Sequence, residues 1–147
     1  MPVAFRNVDA SPTDDVRTLP YEALVAVIDR GLVPDWQPIF AELRRSPWGR
    51  VARRVEHYLS YREPGPGSTL FALAVEHARA QADQADRAEA AARVREAVDL
   101  SGLTKAEFAQ LVGTSASRLS TYLNGKVTPS AAMLIRIERT APTTREA

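Results

Sequence analysis

Residues 101–125, SGLTKAEFAQLVGTSASRLSTYLNG, constrain the fold more than any other part of this 147-residue chain. Thr104 is a good helix N-cap, and Glu107 three residues later completes a capping box. Phe108, Ala109 and Val112 then fall on one face of the helix that begins there. Gly113 follows the last apolar position, where a left-handed residue ends a helix cheaply. Ser115 can cap a second helix, in which Leu119, Tyr122 and Leu123 recur at helical spacing. Asn124-Gly125 stops it. Its other face carries Ser117, Arg118 and Thr121, side chains able to hydrogen-bond to phosphates or base edges. Two helices this short cannot bury their own apolar faces, so neighbouring helices must hold them. The pattern suits docking of the second helix in a DNA major groove.

The flanks supply those neighbours. Before the motif, Val94, Ala97, Val98 and Leu100 make an apolar stripe. After it, Thr128-Pro129-Ser130 predicts a helix start, with Thr128 as cap and Pro129 in the first turn. Met133, Leu134 and Ile137 of that helix close the core. Over residues 90–140, about a third of the chain, the sequence resembles the Cro-like and lambda-repressor-like (XRE) helix-turn-helix family. Thr104, Glu107, Phe108, Ala109, Val112, Gly113, Ser115, Leu119, Asn124 and Gly125 carry the resemblance. Leu111, Tyr122 and Leu123 make this copy more apolar than usual.

The resemblance implies which residues meet DNA. Ser115, Ala116 and Ser117 occupy the start of the recognition helix, the part that reaches base edges in the family. Ala116 offers only a methyl contact, for example to thymine. Thr121 lies one turn further along, and Arg118 either reads guanine or clamps phosphate. Lys105, beside Thr104, matches a family position that contacts the DNA backbone, at a helix start with free N–H groups. Lys126 is a second phosphate contact. Asn124 serves either as a cap or at the DNA. Family members usually act as dimers on near-palindromic operators.

Charge agrees with this division. The net charge is +1, yet residues 87–147 hold nine Lys or Arg against six acids, while residues 1–86 hold ten against twelve. The helix-turn-helix part is the more cationic, as phosphate binding requires. No cysteine is present, which excludes disulfides and thiolate chemistry and fits a cytoplasmic location. His57 and His77 are too far apart for a self-contained metal site. No paired carboxylates, nucleophile triad or phosphate-cradling loop stands out, so no catalytic, cofactor or metal site is expected. No apolar run reaches membrane length and no secretory pattern opens the chain.

The rest reads as all-α, an N-terminal helical region joined to the helix-turn-helix bundle. Residues 1–19 are mostly irregular, with a possible short strand at 3–8. Pro20 opens a helix to Arg30 with Leu24, Val25, Val27 and Ile28 inside, ended by Gly31. A second helix is predicted over 35–45, with Ile39, Phe40 and Leu43 inside. A third is predicted over 48–62, with Val51, Val55 and Leu59 inside. Pro64-Gly65-Pro66-Gly67 is the strongest linker signal. An Ala-rich, mostly continuous helix over 68–100 follows, with Leu70, Leu73, Ala74, Ala78 and Ala85 as its narrowing apolar stripe.

These features divide the chain into an N-terminal region (1–66) that forms a dimer or partner surface, a connecting helix (67–89), the DNA-binding domain (90–140) and a mobile tail (141–147). RRSPWGRVARR (44–54) holds five arginines and no acid beside Trp48. It reads either as an interaction surface or as solvated helix ends. His57, near Tyr58 and Tyr61, reads as packing or surface.

The expected function is sequence-specific DNA binding by a bacterial repressor or autoregulator, with double-stranded DNA and a second copy of the chain as partners. One alternative is an antitoxin whose N-terminal region binds a toxin. Another is an interaction scaffold that does not bind DNA.

Overall fold

The computed structural model describes residue 10 and residues 14–140. The suggested strand at 3–8 and the tail beyond 140 lie outside them. Every regular element among the described residues is helical: a 3-10 turn, Val16–Thr18, and then α1 (Tyr21–Arg30), α2 (Val33–Arg45), α3 (Arg50–Ser60), α4 (Pro66–Ser101), α5 (Lys105–Val112), α6 (Ala116–Leu123) and α7 (Ala131–Thr140). The chain divides into two compact units, residues 1–82 and 83–147. No helix among the described residues is long and apolar enough to cross a membrane.

In the first unit, α1 follows Pro20, whose fixed φ suits a helix start. Gly31 ends it, because a Cβ there would collide with the Val27 carbonyl oxygen that its own N–H bonds. α2 begins two residues earlier than the periodicity suggests. Leu32 has no capping side chain, so the Asp35 carboxylate reaches back to its N–H at 2.8 Å. α3 begins at Arg50 instead of Trp48, since the SPWG turn occupies residues 46–49.

Leu24, Val27, Ile28, Ile39, Leu43, Val51 and Val55 fill the core, while Val25, Phe40 and Leu59 pack against it half-buried. Ala23, Ala52 and Tyr58, not predicted, are also buried.

α4 departs from the expected stripe. Phe71 and Val75, which were not predicted, enter the first core beside the expected Ala78, and the expected Ala74 packs against it. Leu70 and Leu73 are 40% and 56% exposed and Ala85 is exposed. The Phe71 ring meets Trp36 at 5.4 Å and Phe40 at 4.9 Å, and this aromatic cluster sets the helix's rotation. Pro66 and Gly67, read as linker, are the first turn of α4, and the Ser68 hydroxyl accepts the Gly65 N–H at 2.8 Å. The Ala-rich middle continues as helix on propensity, with few buried groups.

The second unit closes over Val94, Ala97, Val98, Phe108, Ala109, Val112, Leu119, Tyr122 and Ile137, with Leu123, Met133 and Leu134 packed against them. Leu100, expected inside, is 55% exposed, because the buried face of α4 runs through 94, 97 and 98 and rotates 100 away. α7 is capped by Ser130, which accepts the Met133 N–H at 3.1 Å, so Thr128 and Pro129 lie before the helix instead of starting it.

Candidate nucleic-acid interface

Capping groups lock the two central helices. Thr104 Oγ1 accepts the Glu107 N–H at 3.2 Å, and Glu107 Oε2 accepts the Thr104 N–H at 3.1 Å. This reciprocal pair satisfies two of the donors that every helix start leaves open. At the other end Gly113 takes φ 79° and ψ 38°. Its N–H bonds the Gln110 carbonyl at 3.2 Å and the Thr114 N–H bonds the Ala109 carbonyl at 2.9 Å, the paired pattern of a left-handed helix stop. The chain then re-enters a helix at Ser115, whose Oγ accepts the Arg118 N–H at 3.0 Å.

Two arginines that sequence reasoning did not single out complete the frame. Arg136 Nη1 donates to the Val112 carbonyl at 3.1 Å, and Arg95 Nη1 donates to the Leu123 carbonyl at 2.7 Å. Each places a cation at the carbonyl end of a helix, where the macrodipole favours it. No local spacing signals this, because the partners lie 24 and 28 residues away.

The predicted site residues sit as follows. Thr104, Lys105, Ser115, Ala116, Ser117, Arg118, Asn124 and Lys126 are all exposed, and Thr121 is half-buried. Arg118 donates from Nε to the Tyr122 hydroxyl at 3.0 Å, which turns that ring's polar end toward the surface while the ring itself stays in the core. The Thr121 hydroxyl donates back to the Arg118 carbonyl at 2.6 Å. Asn124 caps α6 and its Oδ1 accepts the Lys126 N–H at 3.0 Å.

Lys105 and Asn124 come together in an open cleft of about 430 Å³ that Ser120, Arg95 and Asp99 also line. Ser120 is a polar group there that the helical pattern did not mark. Ala116 and Ser117 stand outside this cleft, at the opposite end of α6.

Charge along the helix-turn-helix segment is one-sided, although Asp99 of α4 lines the cleft beside it. Residues 101–130 carry Lys105, Arg118 and Lys126 against one acid, Glu107, and that carboxylate is engaged in the capping box. Behind it Arg93 pairs with Glu138 at 2.5 Å, which raises the Arg93 pKa above the ordinary arginine value. No group of acids, histidines or cysteines among the described residues could hold a metal ion. What the arrangement offers is a rigid short helix with a hydroxyl-rich, cationic outer face.

Comparison with known families gives one result. A helix-turn-helix family model matches residues 94–146. No curated protein and no solved structure matches the chain. The matched stretch contains α5 and α6 and is similar to the XRE-like, Cro- and lambda-repressor-like helix-turn-helix family of DNA-binding domains.

Proposed function

We propose that the protein is a sequence-specific transcriptional regulator, a repressor or autoregulator, that binds an inverted-repeat operator as a homodimer. The observation that carries this reading is the outer face of α6. It presents Ser117, Arg118 and Thr121 from a helix fixed at both ends, and the one acid of residues 101–130, Glu107, is already hydrogen-bonded. In this reading α6 enters the major groove, where Ser115, Ala116 and Ser117 reach base edges from its start. Arg118 has its Nη atoms available for guanine or phosphate, and Lys105, Lys126 and the start of α5 clamp the backbone.

A single module of this kind buries too little surface for tight specific binding, so two copies act together. Their recognition helices then sit about 34–36 Å apart, one turn of DNA. The first unit exposes Leu32 and Val33, by 66% and 54%, which supports a role in bringing the copies together.

Selection of bound duplexes from a random pool with purified protein tests this. The expected product is a pair of inverted half-sites about one helical turn apart. Enrichment of one isolated half-site would remove the dimer. No enrichment at all would remove sequence-specific binding.

A further inference from the structure

We propose that the outer face of α3 is a second duplex-DNA contact surface, which grips phosphates alongside the helix-turn-helix domain. On α3, Val51, Ala52, Val55 and Tyr58 face the core. The opposite face therefore carries Arg50, Arg53, His57 and, at the helix end, Tyr61, at spacings of three, four and four. All four are exposed, Tyr61 by 75%. The His57 ring meets Tyr61 edge-on at 4.8 Å, which continues the face as one surface. Eleven residues of helix extend over roughly 16 Å, enough to follow several phosphates of one strand. Trp48, 50% exposed, lies just before α3, and the exposed Arg44 lies in the last turn of α2.

What distinguishes this face is the state of its charges. Three acids of this unit are engaged: Glu56, the one acid on α3, pairs with Arg79; Glu42 pairs with Arg45; and Asp29 pairs with Arg62. Arg54 donates to the Leu19 carbonyl at 2.5 Å. By contrast Arg44, Arg50 and Arg53 have no hydrogen-bond or ion-pair partner among the described residues. Arginines that serve only to cover apolar surface commonly find a carboxylate or carbonyl, as Arg45, Arg54 and Arg79 do here. Three that find none, interleaved with exposed aromatic rings, match what phosphate and sugar contacts use.

Duplex DNA is the favoured occupant because the same chain carries a DNA-binding domain. Phosphate contacts carry no base information, so this surface adds affinity and salt dependence without changing the sequence read.

The proposal rests on the DNA-binding reading, and the test separates the two. Full-length wild type and the double variant R50Q/R53Q are titrated onto a fluorescent duplex of about 30 base pairs over a range of salt. Each lost phosphate contact removes about 0.9 from the slope of log K against log salt. The double variant should therefore have a slope shallower by about 1.8, which is about 60-fold weaker binding at 0.1 M salt. Its unfolding midpoint and preferred sequence should be unchanged. An unchanged slope in a variant that still binds the duplex overturns the proposal and leaves the α6 reading standing. An unchanged slope together with lost binding to polyglutamate overturns it in favour of an acidic polypeptide. Failure of the wild type to bind any duplex overturns both readings.

Discussion

At the scale of single residues, the domain separates side chains that hold it together from those free to meet a partner. Phe108 is fully buried among residues from α4, α5, α6 and α7, in a core too small to reorganise around a lost ring. Phe108→Ala should cost about 3–5 kcal/mol and abolish DNA binding through unfolding, a loss that a thermal melt followed by circular dichroism detects. Lys105 and Lys126 belong to the other class, exposed and without an ion-pair partner among the described residues. Lys105→Ala and Lys126→Ala should weaken binding to all duplexes alike and each lower the salt slope by about 0.9, with the melt unchanged. A change of preferred sequence in either variant would show a base contact instead.

Tyr58 gives the first unit a pH signature. Burial, then its 2.5 Å hydrogen bond to Asp29, pushes its pKa from 10.0 to about 12. The folded unit thus holds the phenolic proton more tightly than the unfolded chain does. The stability this contributes is complete below pH 10 and is lost as pH rises from about 10 to about 12. Chemical denaturation across that window should show the fall in wild type and a shallower fall in Tyr58→Phe.

At the scale of helices, what was legible in the sequence depended on whether an element is specified by its own neighbours. α5 and α6 are: Thr104, Glu107, Gly113 and Ser115 each act within a few residues, and all four make the bonds their spacing predicts. α4 is not. Leu70 and Leu73 on one side and Phe71 and Val75 on the other both continue the helical stripe through Ala74 and Ala78, and the choice between them is made by Trp36 and Phe40 on α2. The start of α2 was hidden for a related reason, because its cap comes backwards from Asp35 and Leu32 carries no capping group. Pro66 reads equally well as linker or as the first turn of a helix, and Ser68 decides it.

The candidate site divides in the same way. Its exposed polar residues follow from the capping pattern. Arg95, Arg136 and the Ser120 side of the cleft depend on contacts made across the domain. Gly113 tests the local part. A Cβ there meets nothing closer than Arg136 Nη1 at 3.6 Å, so space is not limiting and φ 79° is. Gly113→Ala should destabilise the domain by about 1–2 kcal/mol, the cost of a left-handed residue with a side chain, measured by denaturant titration.

At the scale of the whole molecule, two units with separate cores share α4, and the charges of each support a different task. The second unit presents a short, capped helix suited to reading bases. The first presents Arg50 and Arg53 without an acid partner among the described residues, the basis on which a phosphate contact was proposed for it. The claim on which the rest depends is that the outer face of α6 determines the DNA sequence bound. Selection from a random duplex pool, run in parallel with wild type and with the triple variant Ser117→Ala, Arg118→Ala, Thr121→Ala, measures it most directly. None of the three side chains is in the core, so the variant should stay folded. The account predicts a defined half-site for wild type, with its base preferences lost or changed in the variant. Recovery of the same half-site by both proteins would contradict it.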